Sequence, residues 1–398
     1  LWVSFDTYRD RRTAYSFGVT ASGVRMDWYH PTDNEYDLDP SFDPVWKAKA
    51  VIDSVGWTAE MRIPFSQLRF TDRPVQVWGF NADHWNPATS EDVFWIPVPT
   101  NRTGWSSWMG ELVGIEGIEP SRRLEIVPYG ASDARYTSVS GAGDPFNDGA
   151  NLALRAGADL KMGLGPNLTL DATVNPDFGQ VEADPAVVNL SAFEVFFDER
   201  RPFFTEGAQL LRGNGPNYFY SRRIGANPAC AAGGDYVACP QNATILGAAK
   251  VTGRLATGMS VGGLAALTAR ERARTYDVAS DSFARVEVAP PAGYGVARLQ
   301  QEFGASKSVV GLTLTTVQRD LSPLLAPRFV RRAYTGGVDG VLRWDRGAYV
   351  LRGAAGFSHI RGDRRAISRV QVSPVHYFQR PDAGYVEFDS TRTTLSGS

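Results

Sequence analysis

Trp85, Trp95 and Trp105 follow one another at intervals of ten residues, with Asp83, Asn86 and Arg102 beside them. Flat aromatic rings stack on the apolar faces of pyranoses, and short polar side chains bond the hydroxyls. This combination therefore points to carbohydrate binding. The competing reading is that these tryptophans fill the core of a small β-domain, because tryptophan is mostly buried. A second chemical set is Glu194, Asp198, Glu199 and Glu206, with Glu182 and Asp184 upstream. Two carboxylates flanking a glycosidic bond are what glycoside hydrolysis needs. Arg200 and Arg201 lie inside the same stretch, so the alternative is a brace in which acids and arginines neutralise one another. No residue is assigned as catalytic.

Other motifs carry less. Gly258-Met-Ser-Val-Gly262 has the spacing of a nucleophile elbow, but that motif needs a strand-to-helix turn, and here it opens an alternating strand. His30, His84, His359 and His376 are scattered without metal spacing. Asp33, Glu35, Asp37, Asp39 and Asp43 offer oxygen ligands, yet Leu38 and Pro44 occupy the glycine and closing-glutamate positions of a calcium loop. A solvated acidic loop is expected there, with calcium binding as the alternative; no other cofactor or metal is expected. No phosphate-binding glycine loop and no nucleic-acid motif occurs, so a nucleic-acid partner is not expected. Cys230 and Cys239 flank Gly233–Gly234, which predicts a disulfide across a surface loop in an oxidising compartment.

The elements that must hold these residues are strands. From Asn167 to Asn175 polar and apolar residues alternate without exception: Leu168, Leu170, Ala172 and Val174 share one face, Thr169, Asp171 and Thr173 the other. Leu154, Ala156, Ala158, Leu160 and Met162 likewise oppose Arg155, Asp159 and Lys161. A face of Arg, Asp and Lys suits the wet lumen of an outer-membrane barrel whose other face meets lipid. No run of 18 apolar residues exists, and the nearest, Leu255 to Ala269, has the length of a tilted barrel strand.

Charge and aromatic content divide the chain. Residues 1–120 carry 10 Lys+Arg against 17 Asp+Glu, and the rest carries 31 against 26; nine of the ten tryptophans precede residue 120. Two domains are expected to meet near Gly117–Ser121. Within 1–117 strands are predicted at 1–8, 14–19, 23–29, 46–53, 56–64, 75–82 and 93–98, the pattern of a β-sandwich. Beyond it they are predicted at 122–131, 150–162, 167–175, 178–190, 216–223, 244–255, 259–270, 292–303, 308–318, 333–344 and 348–359, with further ones after 366. Short turns at 163–166, 256–258, 304–307 and 345–347 alternate with long connections at 132–149, 224–243, 271–291 and 319–332, as periplasmic turns alternate with outer loops. A β-solenoid would need a fixed repeat, and none is found. Leu1 lies inside a strand-like run and Thr391–Ser398 has no closing feature, so the chain reads as a fragment.

The run Asp171-Ala-Thr-Val-Asn-Pro-Asp-Phe-Gly-Gln-Val-Glu-Ala-Asp-Pro through Asp198-Glu-Arg-Arg-Pro-Phe-Phe-Thr-Glu-Gly207 resembles a hallmark of uncharacterised bacterial outer-membrane barrels. These are similar to the barrels of TonB-dependent receptors and carry an N-terminal domain like carbohydrate-binding module family nine. Gly56-Trp-Thr-Ala-Glu-Met-Arg-Ile-Pro-Phe-Ser-Gln-Leu-Arg-Phe70 and Gly110-Glu-Leu-Val-Gly-Ile-Glu-Gly117 carry the likeness of the first domain. Tyr220-Ser-Arg-Arg-Ile-Gly225 and Ile245-Leu-Gly-Ala-Ala-Lys-Val-Thr-Gly253 carry that of the second. The resemblance implies a Gram-negative outer-membrane protein with a glycan-binding-like periplasmic domain, and it supplies no activity.

The expectation is an all-β chain. A jelly-roll-like β-sandwich spans 1–117 and a partial antiparallel transmembrane β-barrel spans 118–398. Residues 191–215 form a lumenal or periplasmic segment whose Glu194, Asp198, Glu199, Arg200, Arg201 and Glu206 gate or brace the interior. The expected role is glycan binding with translocation or anchoring, and the rival is hydrolysis of O-glycosyl bonds. Expected partners are a glycan, outer-membrane lipid and lipopolysaccharide, and a periplasmic protein. The clusters Arg270/Arg272/Arg274, Arg328/Arg331/Arg332 and Arg361/Arg364/Arg365 fall at strand tops, where they bind lipopolysaccharide phosphates or form a solvated rim.

Overall fold

Short alternating segments separated by turn residues give sheets throughout. The computed structural model describes residues 1–398 apart from 41, 120–123, 137–142, 148, 166–167, 177–193, 214, 256, 305–307 and 346–348. The fold is all-β, with two short helices among the described residues, α1 (Pro202–Thr205) and α2 (Arg364–Val372). The chain forms two compact units. The first is Leu1–Leu124 with Met162–Thr169 and Thr205–Gln209; the second is Glu125–Lys161, Leu170–Phe204 and Leu210–Ser398.

The first unit holds β1 (Trp2–Asp6), β2 (Ala14–Val19), β3 (Arg25–His30), β4 (Lys47–Ile52), β5 (Trp57–Arg62), β6 (Val75–Asn86), β7 (Glu91–Phe94) and β8 (Gly110–Glu116). One sheet runs β3-β2-β1-β6-β7, with β8 also on β6, and β4-β5 is a separate hairpin. Successive side chains on a strand alternate faces. On one face Phe5, Tyr15, Phe17 and Trp78 meet Trp46, Ala48 and Met61 from the hairpin, with Leu68 and Phe70, in the core of a small sandwich. The opposite face carries Trp2, Ser4, Ser16, Trp28, His30, Asn81 and Asp83, as the cross-strand partners Trp2↔Asp83, Ser4↔Asn81, Ser4↔Ser16 and Ser16↔Trp28 require. The strand expected to end at residue 82 continues to Asn86 because β7 pairs with its last four residues. β8 was not among the expected strands.

The remaining strands are β9 (Leu124–Tyr136), β10 (Ala150–Leu164), β11 (Leu168–Val174), β12 (Tyr236–Ala238), β13 (Ile245–Arg254), β14 (Met259–Thr268), β15 (Glu271–Asp277), β16 (Ser282–Ala289), β17 (Ala292–Phe303), β18 (Ser308–Arg319), β19 (Val330–Trp344), β20 (Tyr349–Gly362) and β21 (Thr394–Gly397); all lie in the second unit except Leu124 of β9, residues 162–164 of β10 and residues 168–169 of β11. Ten of them line up as β21-β20-β19-β18-β17-β14-β13-β11-β10-β9, and β12-β15-β16 form a separate three-stranded sheet. The expected strands at 292–303, 308–318 and 348–359 are present within a few residues. Two expectations are corrected. Residues 216–223 are not a strand: Ser221–Arg223 is a 3-10 turn, and β11 lies directly beside β13. Antiparallel pairing there follows from Asn175 N donating to Leu246 O (3.3 Å) and Asp171 meeting Lys250. The strand expected at 178–190 lies outside the described residues. After residue 363 the chain forms α2, capped by Asp363, whose Oδ1 accepts from Arg365 N (2.8 Å), before the short β21. A bulge between Ile245 and Gly247 turns the Ile245 side chain into the core.

Candidate functional site

Two places concentrate chemistry. The first is a cleft of about 750 Å³ on the far face of the first unit's sheet. That is within the roughly 300–1,000 Å³ of small-ligand sites. Trp2, Trp28, Trp57, Trp85 and Trp105 line it, with Glu35, Asp83, Asn86 and Asp92. The Trp2 and Trp28 rings lie 4.1 Å apart, and Trp105 covers His30 at 4.2 Å. Trp85 is half exposed. Beneath the rings, Ser4 Oγ and Ser16 Oγ are 2.7 Å apart and Ser16 Oγ is 2.8 Å from His30 Nε2. Burial pushes His30 down to about 4, so the imidazole is neutral. Both hydroxyls are buried, which makes this row a support for the floor rather than a nucleophile.

Burial pushes Asp83 up to about 7, reinforced by the nearby Asp92 and Glu35. Burial also raises Glu35 and Asp92. A carboxyl held neutral donates a hydrogen bond as well as accepting one, which suits hydroxyl-rich ligands.

Of the six residues expected to bind carbohydrate, the fold gathers Asp83, Trp85, Asn86 and Trp105 in this cleft and leaves out Trp95 and Arg102. The Trp95 ring packs on Phe80, which points to the opposite sheet face from Asp83. Arg102 closes a turn through its N–H to Pro99 O (2.9 Å). Trp2, Trp28, Trp57, Glu35 and Asp92 were not among the expected cleft residues: Trp2 and Trp28 enter by pairing across β1, β2, β3 and β6, Asp92 by pairing of β7 opposite Trp85, Trp57 from the separate hairpin and Glu35 from the loop after β3. The acidic run serves the same framework. Asp33 Oδ1 accepts from Trp105 N (2.8 Å), Ser107 N (2.9 Å) and Ser106 Oγ (3.0 Å), and so fixes Trp105. Among the described residues no group of three or more His, Cys, Asp and Glu is placed to hold a metal.

The second place is the covered face of the ten-stranded sheet. Lys250, Arg298 and Asp339 are at most 4% exposed there. Arg298 grips Asp339 with two bonds (2.7 and 3.0 Å) and donates to Thr313 Oγ1 (2.7 Å). Lys250 Nζ donates to Phe203 O (2.7 Å) and lies 3.7 Å from Asp171. The stretch 194–204 and 210–224 packs on this face through Phe204, Leu211 and Ile224 against Ile245, Ala248, Leu264 and Val296. Its approach needs glycine: a Cβ on Gly262 would collide with Leu210 O, and one on Gly356 with the Tyr218 hydroxyl.

The expected brace residues are distributed as follows. Glu199 accepts from Arg201 (2.6 and 2.7 Å) and from Ser221 Oγ (2.5 Å), while Arg201 also donates to Ile224 O (2.7 Å). Glu194 pairs with Arg223, and the backbone oxygen of Asp198 accepts from Arg222 (2.8 Å). Arg200 is exposed, and Glu206 follows α1, partly buried. The network thus ties 194–201 to 220–224. The Cys230–Cys239 disulfide is formed, with a Cα separation of 6.1 Å.

Fold and site define an all-β protein with an aromatic, acid-lined cleft in one unit and buried ion pairs under a long antiparallel sheet in the other. Residues 120–367, more than half of the chain, match the family described as Domain of unknown function (DUF5916), and the chain belongs to that family. No curated protein matches it, and neither does any solved structure.

Proposed function

We propose that this chain belongs to a bacterial outer-membrane protein. The ten-stranded sheet is wall of a β-barrel, and the first unit is periplasmic and binds a glycan in its cleft. The stretch 194–224 braces the lumen, so that the protein binds its glycan and passes or anchors it.

The observation that carries the reading is the sheet's inverted polarity. Leu246, Leu267, Leu299, Val310, Leu312, Leu314, Val338, Leu342 and Phe357 are exposed on one face, while Lys250, Arg298, Asp339, Thr252 and Thr313 are buried on the other. A water-soluble sheet puts these classes the other way round. Alternation with apolar residues outward and charge inward fits lipid outside and a polar lumen, and exposed apolar patches of this extent mark membrane or partner surfaces. No helix among the described residues is long and apolar enough to cross a membrane, which says nothing of strands.

The test is gel mobility of the full-length protein from a washed outer-membrane fraction. A shift between unboiled and boiled samples is expected. Recovery in the soluble fraction without a shift would sink the barrel. For the cleft, titration of oligosaccharides should change tryptophan fluorescence, and Trp85→Ala should abolish the change.

A second reading has one observation in its favour. Asp83, held up to about 7 beside Asp92 and Glu35, has the environment of a general acid in glycoside hydrolysis. Turnover of a glycan that Asp83→Asn removes while binding survives would establish it. The pairing of Glu194 with Arg223 gives a lumenal acid pair less support.

A further inference from the structure

We infer that the second unit carries an anion site, built for a phosphate-bearing polyanion, in the cleft beside its disulfide-bonded loop. This site stands apart from the glycan cleft and does not depend on the barrel reading.

The cleft has a volume of about 640 Å³. Arg155, Arg270, Arg272, Arg274 and Arg285 line it against two acids, Asp133 and Glu271. Glu271 and Arg270 have structural work: Glu271 Oε1 accepts from Thr244 N (2.8 Å), and Arg270 pairs with Glu287 (3.2 Å) and Asp320 (3.5 Å). Arg272, Arg274 and Arg285 are exposed and have no ion-pair partner among the described residues.

Arg274 and Arg285 are direct cross-strand partners on β15 and β16. Opposed residues of an antiparallel pair have Cβ atoms about 4.5–5.5 Å apart, and like charges there are destabilising. A bound anion would convert that repulsion into a clamp, since two guanidinium forks match the oxygens of phosphate.

The arginines are also pre-oriented. The Arg274 guanidinium lies over the Phe146 ring at 5.0 Å. Phe146 meets Phe283 at 5.9 Å, and Phe283 meets Tyr276 at 4.7 Å, which makes an aromatic floor. On the other side, β12 pairs with β15, Ala238 facing Arg274, and so brings Cys239 to the rim. The disulfide to Cys230 fixes that edge. The sequence grouped Arg270, Arg272 and Arg274, but the hairpin that adds Arg285 and the loop that adds Phe146 are tertiary.

The test is calorimetric titration of the whole chain with inorganic tripolyphosphate, with diphosphoryl lipid A in the same detergent as a second ligand. Saturable tripolyphosphate binding near one equivalent is expected. Affinity should fall at least tenfold in Arg274→Gln/Arg285→Gln and stay within twofold in Arg331→Gln/Arg332→Gln, an exposed pair outside the cleft. Lipid A binding tighter than tripolyphosphate would assign the anion to a lipid headgroup; equal or weaker binding would assign a free polyanion. Because Arg285→Gln relieves repulsion, it should unfold no earlier than wild type without anion while losing the stabilisation tripolyphosphate gives. Absence of binding at millimolar tripolyphosphate, or equal losses in both double variants, would overturn the site.

Discussion

In the first unit the side chains withdrawn from water are Tyr15, Phe17, Trp46, Leu68, Phe70 and Trp78. In the second, the sheet withdraws Lys250, Arg298 and Asp339 while Leu312 and Val338 stand 40% and 51% exposed. The first arrangement stabilises itself in water, because apolar area leaves solvent at about 25 cal/mol per Å². The second draws little from that term on its open face and carries the desolvation cost of buried charge on the other. Such a sheet makes physical sense where the surrounding medium takes up the open face.

The largest expected effect comes from Asp339→Leu. It leaves Arg298 buried without its carboxylate, a change that costs about 3–5 kcal/mol. Arg298→Met/Asp339→Leu should regain most of this, since a buried ion pair contributes little net stability over apolar residues of similar size. Denaturant unfolding of the second unit in detergent reads both. Equal stability of Asp339→Leu and wild type would show that the covered face is wet and the contrast overstated.

Val338 adjoins Asp339 in sequence and points the other way, so it probes the open face. In a bilayer, Val338→Lys should cost about 2–4 kcal/mol if Val338 lies near the membrane midplane. Val113 on β8 is 65% exposed in the first unit, and Val113→Lys should stay within about 0.5 kcal/mol. Unfolding in lipid measures the first and fluorescence unfolding the second. If both substitutions are neutral in lipid, the open face of the second unit meets water.

Much of this contrast was legible in the sequence. Alternation at 167–175 put Thr169, Asp171 and Thr173 on one face, and all three are buried. Periodicity gave β17, β18 and β20 nearly to the residue because each is a long, regular ladder member. It misread 216–223, where the run Tyr218-Phe219-Tyr220 has strand-like composition but leads into a 3-10 turn whose Arg222 and Arg223 dock on Phe197 and Glu194. It missed the bulge at Ile245, which one unpaired residue creates and no periodicity reveals. The cleft was half legible. Trp85, Asp83 and Asn86 are near neighbours on one strand, whereas Trp2 and Trp28 arrive by pairing across three strands, and Trp95 was lost to strand parity.

The smallest expected effect is a pH dependence confined to the first unit. Burial first, then Asp10, pushes Asp6 up to about 7, although Asp6 accepts from Arg11 N (2.7 Å) and Asp10 N (3.1 Å). Asp83 is also pushed up to about 7. Unfolded, both carboxyls titrate near their ordinary 3.8. Between these limits the folded unit holds protons that the unfolded chain has released, so its stability falls as pH rises. The neutral-carboxyl contribution is full below about pH 4 and is lost as pH passes about 7. Nine of the ten tryptophans precede residue 120, so intrinsic fluorescence of the whole chain follows this unit. Below pH 6.5 His30, pushed down to about 4 in the folded unit, contributes the opposite slope, so the fall is read between pH 6.5 and 8, where Tm should drop by about 4–8 °C, the shift that ~1 kcal/mol produces in a domain of this size. That magnitude already discounts Asp83, which is partly solvent-screened. Asp6→Asn and Asp83→Asn should each flatten the slope, Asp6→Asn more because Asp6 is the more buried. A Tm that stays flat over the same interval would mean that both carboxylates are ionised in the folded unit. The cleft would then present charge rather than a hydrogen-bond donor to its ligand.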